Sequence, residues 1–198
     1  MLLPTDEEIR ALHEKHAPTR AAFDLVHTHC EIVCGIAEQL LADGDPSLDA
    51  DLVRAGSLLH DIGVYRLYDT DGRIDESGYI RHGILGDELL RDEGIPDVLR
   101  RFCSRHTGVG ITRDDVRRQE LPLPVADYVA ESREEELVMY ADKFHSKTDP
   151  PTFVSATSYA DRIRRFGADK VAKFTAMCET FGVPDLRPFV AEYGHVPA

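Results

Sequence analysis

Several things are scarce in this chain, and each scarcity removes a class of function. Positive charge is short: 23 Lys and Arg stand against 36 Asp and Glu, for a net charge of -13. That balance argues against a general polyanion-binding surface, so neither nucleic acid nor an anionic membrane is an expected partner, although a small anion can still be drawn to a local metal site. No run approaches the roughly 18 apolar residues of a membrane span. Cys30, Cys34, Cys103 and Cys178 form no Cys-x-x-Cys pair, and the N-terminus shows neither a basic region nor an apolar run of signal-peptide length. The cysteines therefore read as free thiols in a reducing cytoplasm. Repeats, low-complexity tracts and alternating β-branched runs are missing as well, which points to an all-α fold.

What is present is helical periodicity. A chain of 198 residues can bury about 70% of its unfolded surface, enough for one compact domain without disulfides. Thr5 to His13 reads as a short helix ended before Pro18, with His13 and His16 in solvent. From about Thr19 to Ala42 the apolar residues Val26, Cys30, Val33, Ala37 and Leu40 mark the buried face of a longer helix. His29 lies on that face while His27 projects away from it. A histidine so placed is either a hydrogen-bonded core residue or a ligand. Asp49 begins a helix that carries His60 at its inner C-terminal corner, with Ala55 and Gly56 small enough for close helix contact. The polar stretch Asp69 to Gly78 reads as a mobile loop, His82 opens the next helix, and His106 ends the apolar row of Leu99 and Phe102. Thr112-x-x-Asp115 and Ser132-x-x-Glu135 have capping-box spacing, and Asp142, four residues after Val138, leans toward the core. A carboxylate there costs several kcal/mol if unpaired, so it should lie near a cation, be hydrogen-bonded or be rotated to the rim, and the cation is the expectation. The last amphipathic helices, Ser158 to Phe181 with a break near Gly167, carry no visible chemistry.

The centre of this pattern is Leu58-Leu59-His60-Asp61-Ile62-Gly63. Neutral imidazole and ionised carboxylate are the ligands that mid-row divalent metals prefer, and an adjacent pair can hold one ion and leave a carboxylate oxygen for a second. An aspartate at a helix C-terminus also faces the negative end of the helix dipole and calls for a cation. The plainer alternative is that His60 caps the last turn and Asp61 begins a surface turn.

His29, His60-Asp61, His82, His106 and Asp142 follow in the order His, His-Asp, His, His, Asp. That order, with "HDIG" at 60–63 and "ADK" at 141–143, resembles the HD-domain superfamily of helical metal-dependent phosphohydrolases over about residues 20–148, leaving 149–198 as a C-terminal helical extension of the same domain. The resemblance implies one or two divalent transition metals (Fe, Mn, Co, Ni or Zn), with His29, His60, Asp61 and Asp142 on the first, His82 and His106 on the second, and Asp61 bridging. It implies a small phosphorylated substrate, a nucleotide or another phosphorylated metabolite, cleaved by a metal-activated hydroxide, with a homodimer as an oligomeric option. Of the nearby basic residues Arg66, Arg81, Arg105, Lys143 and Lys147, the first choices for phosphate contact are Arg66 and Lys143, each close behind a ligand position. His145, three residues after Asp142, is either a partner of the ligands or a buried hydrogen-bonded histidine. Val64 after the HDIG motif, Thr107 after His106 and the missing Gly-Tyr-Pro separate the chain from HD-GYP cyclic-dinucleotide phosphodiesterases. Two other functions share the ligand order: an HD-fold diiron oxygenase acting on a small polyol or phosphonate, and a non-catalytic metal-stabilised binding module.

Overall fold

The computed structural model describes residues 3–42 and 44–197. Its elements are overwhelmingly helical, and they are ordered around two apolar clusters that share one long helix. Helix α1 (Asp6–His16) opens on a capping box: Thr5 accepts from the Glu8 amide and Glu8 accepts from the Thr5 amide at 2.8 Å. Helix α2 (Arg20–Ala42) begins where Thr19 Oγ1 accepts from the Ala22 amide, and its stripe of Val26, Cys30, Val33, Ala37 and Leu40 is buried. One end of that stripe packs in a cluster with α1, α3 (Ala50–Leu59), α4 (His82–Asp92) and α5 (Asp97–Arg105). The other packs with α7 (Arg133–Ala141) and α9 (Ala168–Phe181). Each fully buried Leu, Ile or Phe on these stripes contributes about 1.5–3 kcal/mol.

Two glycines set how closely the helices that carry the site approach. A Cβ on Gly56 of α3 would lie 2.4 Å from the Phe102 ring of α5, so the small residue expected to permit close contact does so. After Asp61 the chain makes a 3₁₀ turn (Ile62–Leu67), and a Cβ on Gly63 would lie 2.1 Å from the His82 carbonyl and 2.3 Å from the Gly86 amide nitrogen. The glycine of the HDIG motif is thus a point of backbone contact that seats His82 beside Asp61. On the other side, Arg101 of α5 donates to Glu135 of α7 at 2.7 Å, while the second Glu135 oxygen accepts from the Glu131 amide at 2.8 Å. Ser132 caps α7 as its spacing predicts, but Glu135 turns to α5 instead of closing a box.

Helix α6 (Arg113–Arg118) carries the Thr112–Asp115 capping box. The C-terminal region comprises α8 (Ala156–Ile163), α9 and α10 (Arg187–Tyr193), with a 3₁₀ turn at Arg164–Phe166 before the break at Gly167. Three two-residue strands join it to the core: β1 (His145–Ser146) pairs antiparallel with β2 (Thr152–Phe153), which pairs parallel with β3 (Val196–Pro197). Such short strands leave no periodic trace in the sequence, and the all-α class stands. No helix among the described residues is long and apolar enough to cross a membrane.

The structure corrects the reading of three histidines near the N-terminus. His13 is fully buried, because Ile9 and His13 lie four apart on the stripe that α1 turns inward. Its Nε2–H donates to the Leu58 carbonyl at 2.8 Å, and its Nδ1 accepts from the Tyr65 hydroxyl at 2.9 Å. His16 is half-buried against Glu93 at 2.8 Å. His27 is buried too, since α1 covers that side of α2: it stacks on Phe23 at 4.8 Å and meets His13 edge-on at 5.1 Å. Residues 69–78 form a turn closed by the Tyr68–Ile74 bridge and by the Asp75 amide donating to Leu67 at 2.8 Å.

Candidate metal centre

Each ligand candidate is delivered by the end of an element or by the inner face of α2. His60 and Asp61 follow α3, His82 opens α4, His106 follows α5, and Asp142 follows α7. The loose carbonyls at these helix ends are taken up by side chains. His60 Nδ1–H donates to Ser57 at 2.7 Å, His13 holds Leu58, the Cys103 thiol donates to Leu59 at 3.3 Å, and His106 Nδ1–H donates to Phe102 at 2.9 Å. His82 Nδ1–H donates to the Tyr79 carbonyl at 2.6 Å. A carbonyl can only accept, so in all three rings the proton sits on Nδ1 and the Nε2 lone pair points into the site.

The lone pairs and carboxylates converge in two groups. In the first, His29 Nε2 lies 3.1 Å from Asp61 Oδ2, 3.0 Å from Asp142 Oδ1 and 3.2 Å from His60 Nε2. In the second, His82 and His106 face each other Nε2 to Nε2 at 2.9 Å, with Asp61 Oδ1 3.4 and 3.5 Å away. The donor atoms of each group, His29, His60, Asp61 and Asp142, then Asp61, His82 and His106, all lie within 4.8 Å of one another. Asp61 belongs to both, one oxygen to each.

These residues fit divalent transition-metal ions, on two observations. Asp61 Oδ1 is buried without a hydrogen-bond partner, and buried carboxylate oxygens are rarely left so. Two imidazoles whose Nδ1 protons are already committed also aim lone pairs at each other across 2.9 Å, a repulsive arrangement that a cation between them resolves. The electrostatics of the second group agree, and in the first, burial opposes charge on His60 but the Asp61 carboxylate raises its pKa despite that, so that a cation there would take the place of a proton. Burial lowers the His82 pKa to about 4 against the pull of Asp61, and lowers that of His106 likewise, which keeps both rings in the neutral, ligating form. Burial opposes ionisation of Asp61, but the Lys147 ammonium and the imidazoles outweigh it and hold the carboxyl well below the usual range. Asp142 is held low in the same way, first by Lys143 and then by His29 and His60.

Asp61, His82, His106 and Asp142 line a cavity of about 510 Å³, with His29 and His60 buried behind them. Of the two basic residues expected at the phosphate, Lys143 lines it, with one N–H on Asp142 Oδ2 at 2.6 Å and another on the His106 carbonyl at 2.9 Å. Arg66 is exposed and lies 3.7 Å from Asp92, outside the cavity lining. The reason is the 3₁₀ turn, which buries Ile62, Gly63, Val64, Tyr65 and Leu67 and carries position 66 outward. In its place Lys147 reaches Asp61 Oδ2, with burial opposing its charge and the Asp61 carboxylate raising its pKa despite that. Lys147 was one of several basic residues near the motifs, and only the departure of the chain from its helix at Phe144 separates it from the rest. Tyr159, Arg162 and Phe166 also line the cavity, so the C-terminal helices that show no chemistry in the sequence supply part of its wall. His145 faces His29, Nδ1 to Nδ1, at 2.8 Å.

Comparison with known proteins agrees with this geometry. Over 125 residues the chain is 42% identical to a tRNA (cytidine(56)-2'-O)-methyltransferase of Picrophilus torridus, covering 63% of this chain and 33% of that protein. Over 117 residues it is 37% identical to an uncharacterised protein of Methanocaldococcus jannaschii, covering 58% and 62%. A tRNA (cytidine(56)-2'-O)-methyltransferase of Thermoplasma volcanium is 28% identical over 180 residues, covering 91% and 47%. The chain thus spans between a third and two-thirds of the length of these curated relatives. In fold it is similar to the HD domain of the L. monocytogenes phosphodiesterase PgpH, with a TM-score of 0.54 at 14% identity, covering 96% of this chain and 100% of that one. The complex of that domain with cyclic-di-AMP gives a TM-score of 0.52 at 13% identity, covering 88% and 95%. The HD domain family model matches residues 26–147, the stretch that holds every ligand candidate, and the chain belongs to the HD-domain family.

Proposed function

We propose that this protein is a metal-dependent phosphohydrolase that cleaves a phosphoester of a nucleotide or another small phosphorylated metabolite. The observation that carries the reading is the sharing of Asp61 between two donor groups, with Asp61, Asp142, His82 and His106 lining a cavity that has lysines in its wall. Divalent ions held by His29, His60, Asp61 and Asp142 and by Asp61, His82 and His106 would supply Lewis-acid chemistry, bringing the pKa of water toward neutrality and drawing charge from a phosphoryl group. Against the two charges of Asp61 and Asp142, two such ions leave a surplus of about two positive charges, suited to an anionic substrate.

The chain's own groups complete the site. Lys147, on the cavity side of Asp61, and Lys143, tied to Asp142, place ammonium charge where phosphoryl oxygens gather and where negative charge grows during in-line displacement. The cavity runs on into a second of about 290 Å³, largely apolar, with Ile80, Thr107, Gly108, Tyr159, Ile163 and Phe166 common to both. It offers room for the organic part of the ester away from bulk water. A small molecule suits this geometry better than the tRNA of the two methyltransferase relatives, because a chain with net charge -13 presents no general surface for a polyanion. The reading takes the reducing cytoplasm as its setting.

The test is phosphate release from a panel of nucleotides and sugar phosphates by protein loaded with Mn²⁺ or Co²⁺. Release is expected, and Lys147→Met is expected to lower it about 10–100-fold while both ions are retained. Oxygen consumption without phosphate release would replace the reading with the diiron oxygenase. Metal uptake with neither reaction would leave a binding module.

A further inference from the structure

His29 differs from the other three ligand histidines in where its second nitrogen goes. His60 and His106 sit at helix C-termini and His82 follows a 3₁₀ turn, so each Nδ1–H finds a backbone carbonyl three or four residues back. His29 lies in the interior of α2, where the carbonyls of the preceding turn are already engaged by the helix's own N–H groups. Its Nδ1 needs an acceptor from outside the helix, and the structure provides His145 Nδ1 at 2.8 Å. His145 can accept there only with its proton on Nε2, and that nitrogen lies 2.9 Å from His195 Nδ1. The three rings are layered: His29 on His145 with centroids 5.1 Å apart, and His145 on His195 at 5.1 Å.

We infer that His195, acting through His145, is a positioning residue for the first metal ion, so that the C-terminal segment is part of the centre. Ligation through His29 Nε2 requires a proton on His29 Nδ1, which fixes the direction of the whole chain: His29 Nδ1–H to His145, His145 Nε2–H to His195, and His195 Nε2–H outward. The small sheet holds this arrangement. His145 is the first residue of β1, it pairs with Phe153 of β2, and β2 pairs with β3 directly after His195. Phe153 packs beside both rings, 5.0 Å from His145 and 5.9 Å from His195. The family model ends at residue 147, so His195 is contributed by the part of the chain beyond the family core. His82 and His106 have no such dependence, since their acceptors lie in their own segments.

The inference rests on the metal centre proposed above and not on hydrolysis, so it is tested by Zn²⁺ binding. Competition with a chelator should show that His195→Leu weakens one of the two Zn²⁺ sites by about 10–100-fold and leaves the other unchanged. His195→Asn, whose Oδ1 takes the place of the imidazole Nδ1 and can still accept from His145 Nε2–H, should stay within a few-fold of the native protein. Equal affinities in His195→Leu and the native protein, or equal losses in the Leu and Asn variants, would overturn it. Nitrogen NMR of the Zn²⁺-loaded native protein needs no variant to fold: it should place protons on His29 Nδ1 and His145 Nε2, and a proton on His145 Nδ1 refutes the inference. A native protein that binds no Zn²⁺ would overturn the metal centre itself.

Discussion

The two donor groups meet at Asp61 but are built by different means. The second takes His82 and His106 from α4 and α5, which are consecutive in the chain, and each ring is oriented by its own segment. The first gathers His29 from the middle of α2, Asp142 from the end of α7 and, behind them, His145 from β1 and His195 from just before β3. It has four protein donors where the second has three. The difference would suit separate work: a fuller protein shell would hold an ion for the life of the fold, and a sparser one would leave positions for water and substrate.

The sharpest way to break this comparison is to remove what the groups share. Asp61→Ala should lose both ions, read by elemental analysis of the purified protein, and lower phosphate release by on the order of 10³-fold or more. Full activity after that change would refute the centre. His82→Ala should halve the metal content by removing the second ion alone; loss of both would mean that the first group depends on the second. Gly56→Ala pushes the Phe102 ring, which lies 2.4 Å from the new Cβ, and α5 with it. It should cost about 1–3 kcal/mol of stability and weaken the second site more than the first, because His106 follows α5 and His29 does not.

A pH-dependent effect concerns the terminus of α3, on which both groups depend. His13 holds the Leu58 carbonyl, and burial lowers its pKa from 6.5 to about 3. Between those values the unfolded chain binds a proton that the folded chain does not. The stability that His13 contributes is therefore complete above about pH 6.5 and is lost toward pH 3, by about 1.4 kcal/mol per pH unit for the one proton. His13→Gln should flatten the fall of the melting temperature of the metal-free protein between pH 6.5 and 5. It should also lower both metal affinities alike, and an unequal loss would show that the end of α3 serves one group only.

The helices and the ligand order were legible in the sequence because both are local or nearly so. The spacing of Val26, Cys30, Val33 and Leu40 marks a buried face whatever it packs against, and Thr112-x-x-Asp115 closes its box within one turn. His13 and His27 were misplaced because each is made interior by the other's helix, a fact that neither helix carries alone. That Lys147 lines the cavity and Arg66 does not was hidden from the sequence for a related reason. Proximity in sequence to a ligand says nothing of direction, and the 3₁₀ turn after Asp61 points Arg66 outward while the chain beyond Phe144 brings Lys147 back over the site.

The sequence alone determined the helical class, the family and the six side chains able to ligate metal, since these depend on residue type, period and order. Tertiary structure alone decided which nitrogen of each histidine faces inward, which lysine reaches Asp61, and that His195 stands behind His29 through His145. Those depend on the distance and direction between groups far apart in the chain, quantities set only when the helix ends and the short strands are packed together.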